Sequence, residues 1–270
     1  MSELLQYEFI RNALLAAFLS SLACGVVGSY VVVKRLVFIS GGISHAVFGG
    51  LGLAYFLGLP PLAGVVPFSL LASWGIGLIS RKSKMSEDAA IGVFWALGMA
   101  LGVILISLRP GYAPDLFGYL FGNILTVARR ELVVMAVLNG LIFIVTAVFY
   151  RDFLALSFDE EFARVVGVKT GVIYHLLLAL IAVTVVILIR VAGVILVIAL
   201  LTIPASIARR ITSNLKLMMV VSAGLALLFT LGGLWISWTA DLPAGATIVI
   251  LAGVIFGGFC LLQSLLSPSS

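Results

Sequence analysis

Apolar residues run through this sequence in blocks of about twenty, separated by short clusters of charge, proline or glycine. About 20 such residues are what an α-helix needs to cross the roughly 30 Å hydrocarbon core of a bilayer. The pattern predicts helices near residues 11–33, 37–58, 61–80, 90–108, 131–150, 172–190, 192–209, 215–238 and 244–265. The first block and the region 109–130 are the least regular, and the apolar LFGYLFGNIL in the latter reads as a segment dipping partly into the bilayer. The expected fold class is all-α, a polytopic transmembrane helical bundle of eight or nine spans forming one domain over residues 1–270.

One long polar passage interrupts the blocks, SFDEEFARVVGVKTG at residues 157–171. Asp159, Glu160 and Glu161 crowd its start, Arg164 and Lys169 follow, and Gly167 and Gly171 offer stops. That charge order suits a helix dipole. Phe158, Phe162, Val165 and Val166 recur at spacings of three and four, so the passage predicts a short amphipathic helix. A connection between two spans needs only a turn. A helix presented there points to docking of a soluble partner, and the same pattern also describes a helix lying on lipid headgroups.

Composition narrows the class further. Hydrophobic residues make up 63% of the 270, charged residues 10%, and the mean hydropathy is +1.27, which excludes a soluble globular domain. The net charge of +5 does not indicate nucleic-acid binding, because the basic residues lie in the loops between apolar blocks. With the N-terminus outside, Lys34, Arg35, Arg81, Lys82, Lys84, Arg151, Arg164, Lys169, Arg209, Arg210 and Lys216 fall on one face. Arg11, Arg109, Arg129, Arg130 and Arg190 fall on the other, so eleven of sixteen mark the cytoplasmic side. Cys24 and Cys260 sit far apart inside apolar runs and indicate neither a disulfide nor a thiolate metal site. The first run is too long for a signal-peptide core and is expected to remain as a span. The sequence has no GxxxxGK[ST], so any ATP-driven work falls to another chain. Glycines at small-residue spacing, such as Gly49 with Gly52 and Gly98 with Gly102, suit close helix packing.

Few residues within the spans carry chemistry. His45 lies eight residues into its block, about 12 Å from the cytoplasmic end. An ionisable residue at that depth usually faces a cavity or partner, and a neutral imidazole ligates divalent metals well. Gly41, Phe48, Gly49 and Gly52 share its face, which leaves one side of the helix nearly bare and able to line a pathway. A hydrogen bond to Ser44, Ser40 or a neighbouring carbonyl is the alternative use. His175 beside Tyr174 falls at headgroup depth and reads as structural. Asp241 before Leu242 and Pro243 reads as a helix N-cap or as a carboxylate at the outer mouth. Pro204, flanked by Thr202 and Ser206, predicts a kink and a possible gate. No Ser/His/Asp, paired-carboxylate or Cys/His arrangement is present, so an intramembrane enzyme is not expected.

Several ordered stretches resemble the membrane subunits of ABC importers for zinc, manganese and iron. They are VVVKRLVFISGGISHAVFGGLGLAYFLG, LFGNIL, FDEEFARVVGVKTG, VAGVILVIALLTIPASIARRIT and DLPAGATIVILAG, across most of the chain. The resemblance implies a permease in a prokaryotic plasma membrane, surrounded by lipid and forming a homodimer around a central pathway. It implies two cytoplasmic ATPase subunits, which bind the ATP, and an extracytoplasmic metal-binding protein. The cargo would be a divalent ion, zinc or manganese, with no permanently bound cofactor. By the same likeness Phe158, Asp159, Glu160, Glu161, Phe162, Arg164 and Gly167 belong to the coupling helix that seats in the ATPase. His45 matches the family's intramembrane histidine, with Ser44 and Asp241 further candidates along the metal path. The family's aspartate four residues before that histidine is Gly41 here, which removes a carboxylate ligand one turn away. An ion-coupled secondary transporter is the competing class, but it would carry an intramembrane Asp or Glu, and none of the eleven acidic residues lies deep in a block. A structural or assembly protein would account for the glycines and leave His45 unexplained.

Overall fold

The computed structural model describes residues 6–83, 85–109 and 122–266. Among the described residues ten α-helices follow one another: α1 (Glu8–Val33), α2 (Val37–Leu57), α3 (Pro61–Lys82), α4 (Glu87–Ser107), α5 (Arg129–Val148), α6 (Tyr150–Phe158), α7 (Glu160–Val165), α8 (Thr170–Ile211), α9 (Leu215–Ala240) and α10 (Ala244–Leu266). A 3-10 turn, Ile124–Thr126, precedes α5 and packs on α1. Residues 116–121 of LFGYLFGNIL lie outside the described residues. Among the described residues nine stretches are long and apolar enough to span a membrane, the upper of the two expected numbers.

Local chemistry sets the helix ends. Pro61 opens α3 at the position where its missing N–H costs nothing. Ser86 caps α4 by accepting from the Ala89 N–H, with Glu87 and Asp88 in the first turn. Asn214 caps α9 by accepting from the N–H groups of Lys216 and Leu217. Before α5, the Glu131 carboxylate accepts from the Ala128 N–H at 3.0 Å.

The α8 stretch is 42 residues long, which at 1.5 Å per residue is about twice the bilayer core. It is broken at Gly193, whose φ of 66° and ψ of 170° are non-helical. The two halves, Thr170–Ile189 and Gly193–Ile211, are separate spans. Both outer ends of α8 lie at the same end of the bundle. Gly171 adjoins Arg81 at the close of α3, while Arg209 donates to the Val32 carbonyl at the close of α1. The chain therefore doubles back at Gly193. The kink expected at Pro204 is not where the helix breaks, and the Thr202 hydroxyl donates at 2.7 Å to the Ile198 carbonyl, one turn before it, not to the Leu200 carbonyl that Pro204 leaves unpaired.

The first half of α8 is among the most buried spans and packs against α1, α3, α9 and α10 together with the second half. Glycine sets how closely the remaining helices approach. A Cβ on Gly98 of α4 would stand 2.5 Å from the Ala46 Cα of α2, and one on Gly52 of α2 would stand 2.6 Å from the Gly102 carbonyl oxygen. At those distances backbone meets backbone, which suits association in lipid, where apolar burial alone drives nothing. Many hydroxyls inside the spans are satisfied within their own helices, though those of Tyr30, Thr146 and Ser222 are buried without a partner. Ser20, Ser29, Ser44, Thr184 and Thr230 each donate to the carbonyl four residues earlier, at 2.6 to 2.8 Å.

Candidate functional site

Two places carry the polar chemistry singled out in the sequence, one at the end of the bundle that bears α7 and one inside it. At the first, the expected single helix over 157–171 is two helices. Ser157 and Phe158 finish α6, and Asp159 leaves the helical conformation with φ −150° and ψ 108° to cap α7, accepting from the Phe162 N–H at 2.9 Å. At the far end Gly167 takes φ +88°. Its N–H donates to the Arg164 carbonyl and the Val168 N–H to the Ala163 carbonyl, the paired bonds that close a helix on a left-handed residue. The helix between these caps is six residues long.

Glu160 fixes α7 to the bundle. Its Oε1 accepts from Arg81 of α3 at 2.7 Å and from Arg164 at 3.0 Å, while Oε2 lies 3.4 Å from the Lys34 Nζ beyond α1. Lys34 also donates to the Leu156 carbonyl at 2.9 Å. Burial would raise the Glu160 carboxyl, but Arg164, Arg81 and Lys34 outweigh it and hold the group below the usual glutamate range. Ala163 is buried beneath the helix. The other apolar side chains point away: Val165 is 85% exposed, Phe158 63%, Phe162 57% and Val166 54%. Glu161 and Arg164 are exposed beside them. The result is a rigidly held apolar knob with charges at its edge.

Inside the bundle, α2 carries His45. Its ring stacks on Trp95 of α4, with centroids 4.0 Å apart and planes 8° from parallel. Its Nδ1 is buried with no hydrogen-bond partner. The side chain as a whole is half-buried. Ser44 is fully buried and donates to the Ser40 carbonyl, so it bonds within its own helix and not to His45. The glycine face expected to be bare is filled, because Gly49 and Gly52 meet α4 and the Phe68 ring of α3. Gly41 is different. A Cβ there would approach only the Ile198 side chain of α8, at 3.0 Å from its mobile tip. Trp95 drew no attention in the sequence, where nothing ties a tryptophan to a histidine fifty positions away; the close fit of Gly98 against Ala46 sets that register.

Asp241 corrects one expectation. It ends α9 in a left-handed conformation, φ 53° and ψ 45°, and does not cap α10. It is exposed at the end opposite α7, on the rim of a groove of about 560 Å³ lined by Trp235, Trp238 and Leu231. The α2 helix packs on α3, α4 and α8, whereas of the helices flanking Asp241 α9 packs on α1, α8 and α10 and α10 packs on α8 and α9, neither with extensive contact to α2. His175 places Nδ1 2.8 Å from the Gly171 carbonyl, as a structural histidine does. Among the described residues no three His, Cys, Asp or Glu side chains gather where one ion could hold them together.

The fold has parallels. PsaBC from Streptococcus pneumoniae, solved in complex with Fab, has a chain similar to this one with a TM-score of 0.85 and 31% identity, covering 96% of this chain and 93% of that one. A membrane protein of Synechocystis without an assigned role is 46% identical over 256 residues, 95% of this chain and 91% of its own. The manganese transport system membrane protein MntC of Halalkalibacterium halodurans is 32% identical, over 94% of this chain and 87% of its own. A probable iron transport system membrane protein of Haemophilus influenzae is 34% identical, over 94% and 93%. The family model described as the ABC 3 transport family matches residues 6–262. This chain, an integral membrane protein with nine apolar spans among its described residues, belongs to the ABC 3 transport family.

Proposed function

We propose that this chain is the permease subunit of an ATP-driven importer for divalent metal ions, with manganese as the leading cargo and zinc and iron within the same class. The observation that carries the reading is α7. A six-residue helix, capped at both ends and clasped by Glu160, presents Phe162, Val165 and Val166 to the outside. Such a knob fits a groove on a soluble protein, and a motor that lacks its own membrane anchor needs one. Named relatives that transport manganese or iron support the cargo class. Lys34, Arg35, Arg81, Lys82, Arg209 and Arg210 gather at the α7 end, which makes that end cytoplasmic.

The ion passes through a homodimer. A half-buried histidine with an unpartnered nitrogen is costly against lipid, and a second copy covering this face would pair two imidazoles across one path. With Gly41 in place of a carboxylate, that site holds its ion weakly and releases it readily. Two ATPase subunits dock on the two α7 knobs, and an extracytoplasmic metal-binding protein delivers the ion near Asp241. The described acidic residues lie at helix ends and turns, which removes the intramembrane carboxylate that an ion-coupled carrier uses. The test is flux in proteoliposomes holding the permease and its ATPase across manganese, zinc and iron. ATP-dependent uptake of at least one supports the reading, and uptake that follows an ion gradient without ATP overturns it.

A further inference from the structure

The polar contacts around α7 continue past it, along a route that ends at His45. Arg81, in the last turn of α3, donates to Glu160 and also lays its guanidinium over the Tyr174 ring, 4.5 Å from the centroid. Tyr174 is buried near the start of α8, and its hydroxyl donates to the Glu87 carboxylate. Glu87 stands in the first turn of α4, eight residues before Trp95, about 12 Å along that helix. Trp95 in turn is stacked on His45. Three side-chain contacts thus join the docking helix to α4, and the Trp95 stack is a fourth that reaches the helix holding the intramembrane imidazole. The elements they join are far apart in the sequence, 79 residues from Arg81 to Glu160 and 87 from Glu87 to Tyr174.

We propose that Glu160, Arg81, Tyr174 and Glu87 are positioning residues that carry displacement of α7 to α4, and so to the Trp95 ring against His45. This rests on the reading of α7 as the ATPase-docking element. The inner end of the route suits the task, because Tyr174 is buried and Glu160 half-buried, while Arg81 is exposed at the surface end. The α4 helix has its most extensive packing on α2. Glycine meets backbone there at Gly98 and Gly102, and the Ile91 side chain of α4 seats on Gly42 of α2. A displacement of α4 therefore carries α2 with it, moving the stacked His45 and Trp95 rings together and changing the access of an ion to the imidazole. A latch that only stabilises the fold makes a different prediction, since it would lower every activity together.

The experiment uses the complete complex of permease and ATPase in proteoliposomes, reading manganese flux and ATP hydrolysis in the same sample. Tyr174→Phe keeps the ring under Arg81 and removes only the hydroxyl. The expected result is retained ATPase binding and hydrolysis with flux per ATP reduced about fivefold or more, the lower bound of ordinary site-to-site coupling. Glu87→Gln keeps an acceptor for the hydroxyl and is expected to keep most of the coupling. The double variant Glu160→Gln with Tyr174→Phe is expected to be no worse than the worse single, because both interrupt one route. Wild-type flux per ATP in Tyr174→Phe, equal loss of hydrolysis and flux, or multiplying losses in the double variant would each overturn the relay. A wild-type complex that neither binds ATPase nor moves manganese with ATP overturns the docking reading itself, and shows this before any variant is made.

Discussion

Placing a side chain at Gly167 separates backbone from contact effects cleanly. Nothing lies within 4 Å of where its Cβ would stand, so a substitution meets no neighbour and the cost is that of φ +88° alone. A non-glycine residue held in such a region costs about 1–3 kcal/mol, with β-branched side chains at the top of the range. Two bonds depend on that conformation, Gly167 to Arg164 and Val168 to Ala163, and they close a helix far too short to persist without its caps. A loss of about 2 kcal/mol raises the open population of the turn about thirtyfold. The variants Gly167→Asn, Gly167→Ala and Gly167→Val form a graded series, since asparagine tolerates left-handed backbone and valine resists it. Hydrogen exchange at the Val168 amide should quicken in that order. Metal-stimulated ATP hydrolysis in the assembled complex should fall in the same order while the permease still purifies as an assembled oligomer. If the valine variant exchanges and hydrolyses like the asparagine variant, the capped geometry of α7 is irrelevant to coupling.

Four further outcomes are expected. Cysteines introduced at positions 82, 159 and 216 should resist an impermeant reagent on intact cells, while one at 241 should react; labelling at 159 from outside would reverse the orientation. Gly98→Ala should lower the thermal stability of the purified permease sharply, because the new Cβ meets Ala46 backbone at 2.5 Å, whereas Gly92→Ala, with nothing within 4 Å, should leave the melting temperature within the error of wild type. His45→Ala should lower metal flux strongly while sparing expression and ATPase binding, and Gly41→Asp, whose Cβ would meet only the Ile198 side chain, should tighten metal binding in the purified protein. The Glu160 clasp is held below the ordinary glutamate pKa, so its contribution is complete above about pH 4.3 and is lost as pH falls through the lower folded value. Amide exchange in α7, corrected for intrinsic rate, should therefore be flat from pH 7 to 5, and a transition inside that window would contradict the clasp.

The spans were legible because lipid imposes one requirement everywhere, a long apolar block, and each block in the sequence became a helix. Ends were less legible where one residue serves two neighbours. Asp159 reads as the start of a charged helix that includes Phe158, yet the backbone leaves the helix at Asp159 and restarts, which residue spacing does not reveal. Asp241 followed by Leu242 and Pro243 has the composition of an N-cap, but its left-handed backbone terminates the helix before it. Around His45 the periodicity put Gly41, Gly49 and Gly52 on one face, but Gly41 turns to α8 while Gly49 and Gly52 meet α3 and α4, which spacing does not reveal. Glycine looks like open space in a sequence and is closed space in a membrane bundle, because its purpose is to admit a neighbouring backbone. The Trp95 stack and the contacts from Glu160 to Glu87 belong to that same unreadable layer. They are fixed by how helices register against one another.

Gly193 has a topological consequence. Each crossing of the bilayer reverses the side on which the chain next emerges, so the sidedness of α9 and α10 depends on a turn made over one non-helical residue. The φ, ψ pair found there is one that only glycine enters at little cost. Were the stretch to run on straight, Arg209, Arg210 and Lys216 would emerge on the far side and Arg209 would lose the Val32 carbonyl. The backbone of residue 193 and the charges of residues 209–216 therefore encode one parity twice, by two unrelated physical means.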